Sequence, residues 1–81
     1  MNNLIEIENN IATDLYQVKP SITNQVNSNH DLVIDHGVES LDLIELIARI
    51  EDRYRIPIED EDYKQLRTIK QLAEYIYNKQ K

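Results

Sequence analysis

The chain has 81 residues, no cysteine and a formal net charge of −6, which excludes a disulfide framework, a thiolate zinc site and a cysteine nucleophile. One domain of this length buries a modest core and is too small to wall off a catalytic pocket of roughly 300 Å³ or more, so an enzyme is disfavoured. Residues 31–62 hold eleven acids against Arg49, Arg53 and Arg55, a net of −8, whereas residues 63–81 carry a net of +4; a surface this acidic repels nucleic acid and attracts basic protein patches.

The first element reads as a helix. Leu4, Ile7, Ile11, Leu15 and Val18 recur at three-to-four spacing, the period of one buried helical face. Lys19-Pro20 ends it, because a residue before proline is pushed out of the helical region. Residues 21–39 are rich in Asn, Ser, Asp and Thr and hold no helical period. They are expected to form a long ordered loop pinned to the core by Ile22, Val26, Leu32 and Ile34. Connections of that length in compact domains are often functional. Leu32-Val33-Ile34 reads as a short extended run.

The second main helix is expected from about Ser40 to Tyr54. Leu43, Leu46, Ile47, Ile50 and Tyr54 form its core stripe, with Asp42, Glu45, Arg49, Glu51, Asp52 and Arg53 on the solvated side. Leu41, Ile44 and Ala48 form a second apolar line beside the core stripe. Ile56-Pro57-Ile58 interrupts the pattern. Glu59-Asp60-Glu61-Asp62 then favours the positive end of a short helix running to about Leu66. Thr68 and Gln71 have capping-box spacing, so the last helix starts near Ile69, with Leu72, Ala73, Ile76 and Tyr77 inward. The predicted fold is all-α: a single domain over residues 1–81, a small four-helix bundle of three main helices plus one short helix, with a long first loop. No run is long and apolar enough to span a membrane, and no leader is visible. A cytoplasmic monomer is expected.

Ser40 stands out. It follows Gly37-Val38-Glu39 and opens an acidic, amphipathic helix. The simplest role for it is an N-cap, its oxygen accepting a helix amide. A cap alone, however, has no use for Leu41 and Ile44 outside the core stripe. His36 lies four residues earlier and suggests a base, but Gly37 places it in a loop, and no Gly-x-Ser-x-Gly elbow is present. The run 59–62 lacks the ligand alternation and the glycine of a calcium loop, so no metal site is predicted. Tyr16, Tyr54, Tyr63, Tyr75 and Tyr77 are the only aromatics. Some of them are expected to fill core positions with their hydroxyls reaching the surface. Base stacking by them would need a basic groove.

Across roughly residues 4–77 the chain resembles the acyl carrier proteins. That family places its attachment serine in an Asp-Ser-Leu motif at the start of its second helix, and Glu39-Ser40-Leu41-Asp42 occupies that place here. Leu32, Asp35 and Gly37 before the serine match as well. So do Ile44, Glu45, Leu46 and Glu51-Asp52 after it, and then Ile58, Thr68-Ile69, Leu72, Tyr75 and Ile76. Two positions depart from the family: Glu39 replaces its usual Asp, and His36 its usual Leu.

The resemblance implies a non-enzymatic carrier. Ser40 would accept a 4′-phosphopantetheine arm from coenzyme A, delivered by a magnesium-dependent phosphopantetheinyl transferase. The thiol of the arm would hold acyl groups as thioesters. Glu39, Asp42, Glu45, Glu51 and Asp52 would form the acidic face that basic patches on acyl-transferring or condensing enzymes grip, with Leu41, Ile44 and Ala48 as its apolar contacts. The interior between the second and third main helices would shelter a short acyl chain. The resemblance implies service in fatty acid, polyketide or related synthesis without singling one out. An aminoacyl or peptidyl carrier, and an acidic helical interaction module with no prosthetic group, are the competing readings.

Overall fold

The computed structural model describes residues 3–22 and 26–80. Met1, Asn2, residues 23–25 of the long connection and Lys81 of the basic end lie outside the described residues. Helix α1 spans Leu4–Val18, α2 Leu32–His36, α3 Ser40–Tyr54 and α4 Ile69–Lys79; a 3-10 helix spans Asp60–Gln65. No strand occurs among the described residues.

Each long helix begins where the side chains can satisfy its first amides. Asn3 caps α1, its Oδ1 accepting the Glu6 N–H at 2.8 Å. Thr68 caps α4, its hydroxyl accepting the Gln71 N–H at 3.0 Å while Gln71 Oε1 accepts the Thr68 N–H at 3.2 Å. This is the predicted capping box. Helix α1 packs against both α3 and α4. Ile7, Ile11, Leu15, Leu46, Ile47, Ile50, Leu72 and Ile76 meet there, all fully buried. Asp14 is the one buried charged residue among those described. Two bonds from Arg53 hold it, Nη2 to Oδ1 at 2.7 Å and Nε to Oδ2 at 3.1 Å, and tie α1 to α3. The guanidinium of Arg53 therefore folds over α1 instead of standing free in solvent.

The chief correction concerns the connection between α1 and α3. Leu32-Val33-Ile34 is not extended; it opens α2. Asp31 Oδ1 accepts the N–H groups of Val33 and Ile34 at 3.0 and 2.9 Å, and the helix stops at Gly37, whose φ of 66° is left-handed. A glycine adopts that conformation without steric cost, so the chain can turn sharply into α3. Leu32 and Val38 bury themselves on either side of the turn, whereas Ile34 points outward and is 76% exposed. Ile34 is thus no core pin; Val26 and Leu32 are, and Ile22 packs partly against the core. Two backbone bonds fasten this connection to the start of α4: Leu32 N–H to Arg67 O at 2.8 Å and Lys70 N–H to Ser28 O at 3.0 Å.

The acidic run opens the expected short helix, a 3-10 helix, with Glu59 preceding it and Leu66 buried just behind it. The tyrosines pack at the core margin as predicted. Tyr54 Oη accepts from Asn10 Nδ2 at 2.8 Å, Tyr16 Oη accepts the Val26 N–H at 3.2 Å, and Tyr75 Oη donates to Asp62 Oδ2 at 2.9 Å. Within the described residues no helix is long and apolar enough to cross a membrane.

Candidate functional site

Ser40 is the first residue of α3, not its cap. Glu39 takes the cap position with extended backbone, φ −83° and ψ 166°. Its carbonyl accepts the Leu43 N–H at 2.9 Å, and its N–H donates to Asp42 Oδ2 at 3.1 Å. The helix start is therefore satisfied without the serine hydroxyl. Ser40 is exposed and its hydroxyl makes no hydrogen bond among the described residues. A side chain with no structural duty at a solvent-facing turn is free for modification.

The hydroxyl borders an open groove of about 650 Å³ between α2, α3 and the 3-10 helix. Val33, Val38, Leu43 and Ile44 give it an apolar wall, while Lys64 and Arg67 approach from the side of the 3-10 helix. Arg67 is already committed: its Nε and Nη2 reach Asp31 Oδ2 and Oδ1 at 2.8 and 3.2 Å. That guanidinium, helped by the Ile34 N–H, holds the Asp31 carboxyl below its ordinary value of 3.8. Burial, with Glu51 and Asp60 nearby, pushes the Tyr63 phenol above its usual value, so Tyr63 presents a neutral hydroxyl to the groove.

The Asp31–Arg67 pair has a pH signature. A carboxyl lowered by folding stabilises the fold fully above its unfolded value and loses that contribution as pH falls through the folded value. Asp31→Asn keeps a capping side chain but removes the charge. At neutral pH the variant is expected to melt below wild type. The gap should close as pH falls below about 3.8, where the wild-type carboxyl also becomes neutral. Thermal melts of both proteins between pH 7 and acid check this; a gap that persists at low pH would show that the ion pair is not its source.

His36 does not serve Ser40. Its Nε2 lies 2.9 Å from His30 Nδ1, with the ring centroids 5.1 Å apart. The two imidazoles hydrogen-bond each other and join the loop to the end of α2. Among the described residues there is no cluster of three or more His, Asp or Glu side chains fit to hold a metal ion.

The acids of α3 divide by duty. Glu45 and Asp52 are exposed on the same side of the helix as Leu41, Ile44 and Ala48. Leu41 is 78% exposed and Ile44 49%. Glu45 leans on Arg49 at 3.7 Å. Asp42 faces the other way, with its cap bond and Lys19 at 3.9 Å. Glu51 is half-buried, and its Oε2 accepts the Ile58 N–H at 2.8 Å, which stitches α3 to the segment leading into the 3-10 helix. Tyr63, Lys64 and Arg67 were not singled out as site residues from sequence, because nothing local marks them. They reach the groove only through the path of the chain after Pro57.

Residues 7–76 match the family model described as a phosphopantetheine attachment site. The chain belongs to the acyl carrier protein family. It is 33% identical over 81 residues to the acyl carrier protein of Buchnera aphidicola, covering 100% of this chain and 99% of that one. It is 35% identical over 72 residues to that of Syntrophobacter fumaroxidans (89% and 84% covered), and 29% over 76 residues to that of Chlamydia caviae (94% and 99%). The protein is thus a carrier rather than a catalyst, and its prosthetic group is 4′-phosphopantetheine. Carriers of this family work with a phosphopantetheinyl transferase and with acyl-handling enzymes.

Proposed function

We propose that Ser40 is the attachment residue and that the chain, acting as a single domain, delivers acyl thioesters to biosynthetic enzymes. One observation carries this reading. Ser40 is an exposed hydroxyl at the first turn of α3, released from capping by Glu39 and Asp42 and bordering the groove. The arm supplies the thiol that this cysteine-free chain lacks. The protein holds its tether at a rigid helix start and exposes Leu41, Ile44 and Ala48 beside Glu45 and Asp52 for a partner to grip. The apolar wall of the groove gives a short acyl chain a place beside the arm. Glu39 and Asp42 sit at the tether itself, where a transferase must reach. Glu51, also counted in this face, contributes charge at its edge while bracing Ile58. The absence of cysteine suits the cytoplasm, where we place this carrier as a monomer, with no affinity for nucleic acid.

The cysteine count makes a direct test. Ellman's reagent should find no thiol in the unloaded protein and one per chain after incubation with coenzyme A, magnesium and a phosphopantetheinyl transferase. The thiol should disappear again on enzymatic acylation. A loaded protein whose thiol no acyl-transferring enzyme can charge would contradict the carrier function.

Docking is tested by charge. Glu45→Lys with Asp52→Lys should slow transfer to a basic partner several-fold, up to about tenfold, at low ionic strength, because long-range attraction raises association rates. The deficit should shrink at high salt, where the Debye length is short. Stopped-flow transfer rates against salt check this. Equal rates at low salt would place docking elsewhere. Glu51 is the wrong residue for that test, since reversing it also breaks its bond to Ile58.

A further inference from the structure

We propose that Lys64 is the intramolecular counter-charge for the phosphodiester of the Ser40 arm. The inference rests on Ser40 being the attachment residue. Loading that serine places a new anion in a poor electrostatic setting. Glu39 adjoins it, Asp42 lies two residues on, and residues 31–62 carry a net of −8. The wall of the groove beside Ser40 is apolar and offers no cation to neutralise a phosphate.

Two cations line the groove with Ser40, Lys64 and Arg67. Arg67 is spent on Asp31 through two hydrogen bonds. Lys64 is exposed and makes no ion pair or hydrogen bond among the described residues. Its acidic neighbours do not claim it, and Asp62 is engaged by Tyr75. A flexible ammonium on the 3-10 helix, free of partners and facing the same groove, binds phosphate as a point charge. Ser40 and Lys64 are both exposed on an open groove, so added salt should weaken the attraction. Lys64 acts on the tether, not on any reacting bond, and is a positioning residue. Its effect is to hold the first segment of the arm against the 3-10 helix side of the groove.

Nuclear magnetic resonance of the loaded protein tests this with two readouts that activity does not enter. With lysine labelled at Cε, the Lys64 signal is identified by its loss in Lys64→Arg. Loading Ser40 should move that signal more than those of Lys70 and Lys79. The 31P signal of the phosphodiester should differ between wild type and Lys64→Gln and return towards wild type in Lys64→Arg, with the difference shrinking as salt is raised. A Lys64 signal unmoved by loading, or a 31P signal indifferent to Lys64→Gln, overturns the proposal. A chain that shows no added phosphopantetheine mass would instead remove the attachment reading on which it rests. Lys64 is exposed and packs against nothing in the core, so its variants should fold as wild type does.

Discussion

Ser40→Ala is expected to abolish loading and to leave the fold intact. The reason lies in the division of labour at the start of α3. Glu39 holds the cap position and exchanges bonds with the first turn through Asp42, so the serine side chain satisfies no helix amide. Alanine is the best helix former, and an exposed substitution away from a structural feature changes stability by no more than about 0.5 kcal/mol. Loss of the oxygen proposed to form the phosphodiester should, by contrast, remove loading completely. Intact mass after treatment with coenzyme A and transferase, beside urea unfolding of the same variant, separates the two effects. Loss of about 1 kcal/mol or more, the usual cost of removing a cap, would return Ser40 to a structural role. Continued modification of the variant would shift attachment to another hydroxyl, with Ser21 and Ser28 the remaining serines.

Leu46→Ala and Leu41→Ala should behave as opposites although both sit on α3. Leu46 is fully buried in the core, whereas Leu41 is 78% exposed. Truncating a buried leucine costs about 2–5 kcal/mol, as lost transfer energy plus the cavity left behind. A chain of this size has only roughly 4–12 kcal/mol of total stability at 0.05–0.15 kcal/mol per residue. Leu46→Ala should therefore lower the urea midpoint sharply and leave a measurable unfolded fraction at 37 °C. Leu41→Ala should unfold with wild type to within about 0.5 kcal/mol yet slow delivery to partner enzymes. Equal destabilisation by the two would mean that Leu41 is not the outward residue described here.

The three long helices were legible because each shows its apolar period over three or more turns and carries a start signal. Ile7, Ile11 and Leu15 are one such stripe, and Thr68 with Gln71 one such start. Helix α2 was missed because five residues cannot display a period. Its boundaries were nonetheless written in the sequence, in Asp31 as a cap and Gly37 as a left-handed stop. Ser40 was legible as the start of α3, and the capping role it could have taken falls to Glu39, since the reciprocal Asp42 decides the matter. The duty of Glu51 was hidden: its bond to the Ile58 N–H depends on how the chain turns after Arg55, whose positive φ of 56° no local pattern signals. The same holds for Lys64 and Arg67. A groove made by three elements exists only once they are folded together, so its cationic side leaves no trace in any one stretch of sequence.

The central claim is that Ser40 carries the arm, and one measurement meets it directly. The wild-type protein is incubated with coenzyme A, magnesium and a broad-specificity phosphopantetheinyl transferase, and its intact mass is recorded before peptide fragmentation. The account predicts the gain of one phosphopantetheine per chain, located on the peptide containing Glu39-Ser40-Leu41 and on Ser40 within it. No gain, repeated with the transferase of the source organism, or a gain located on a different residue, would contradict it.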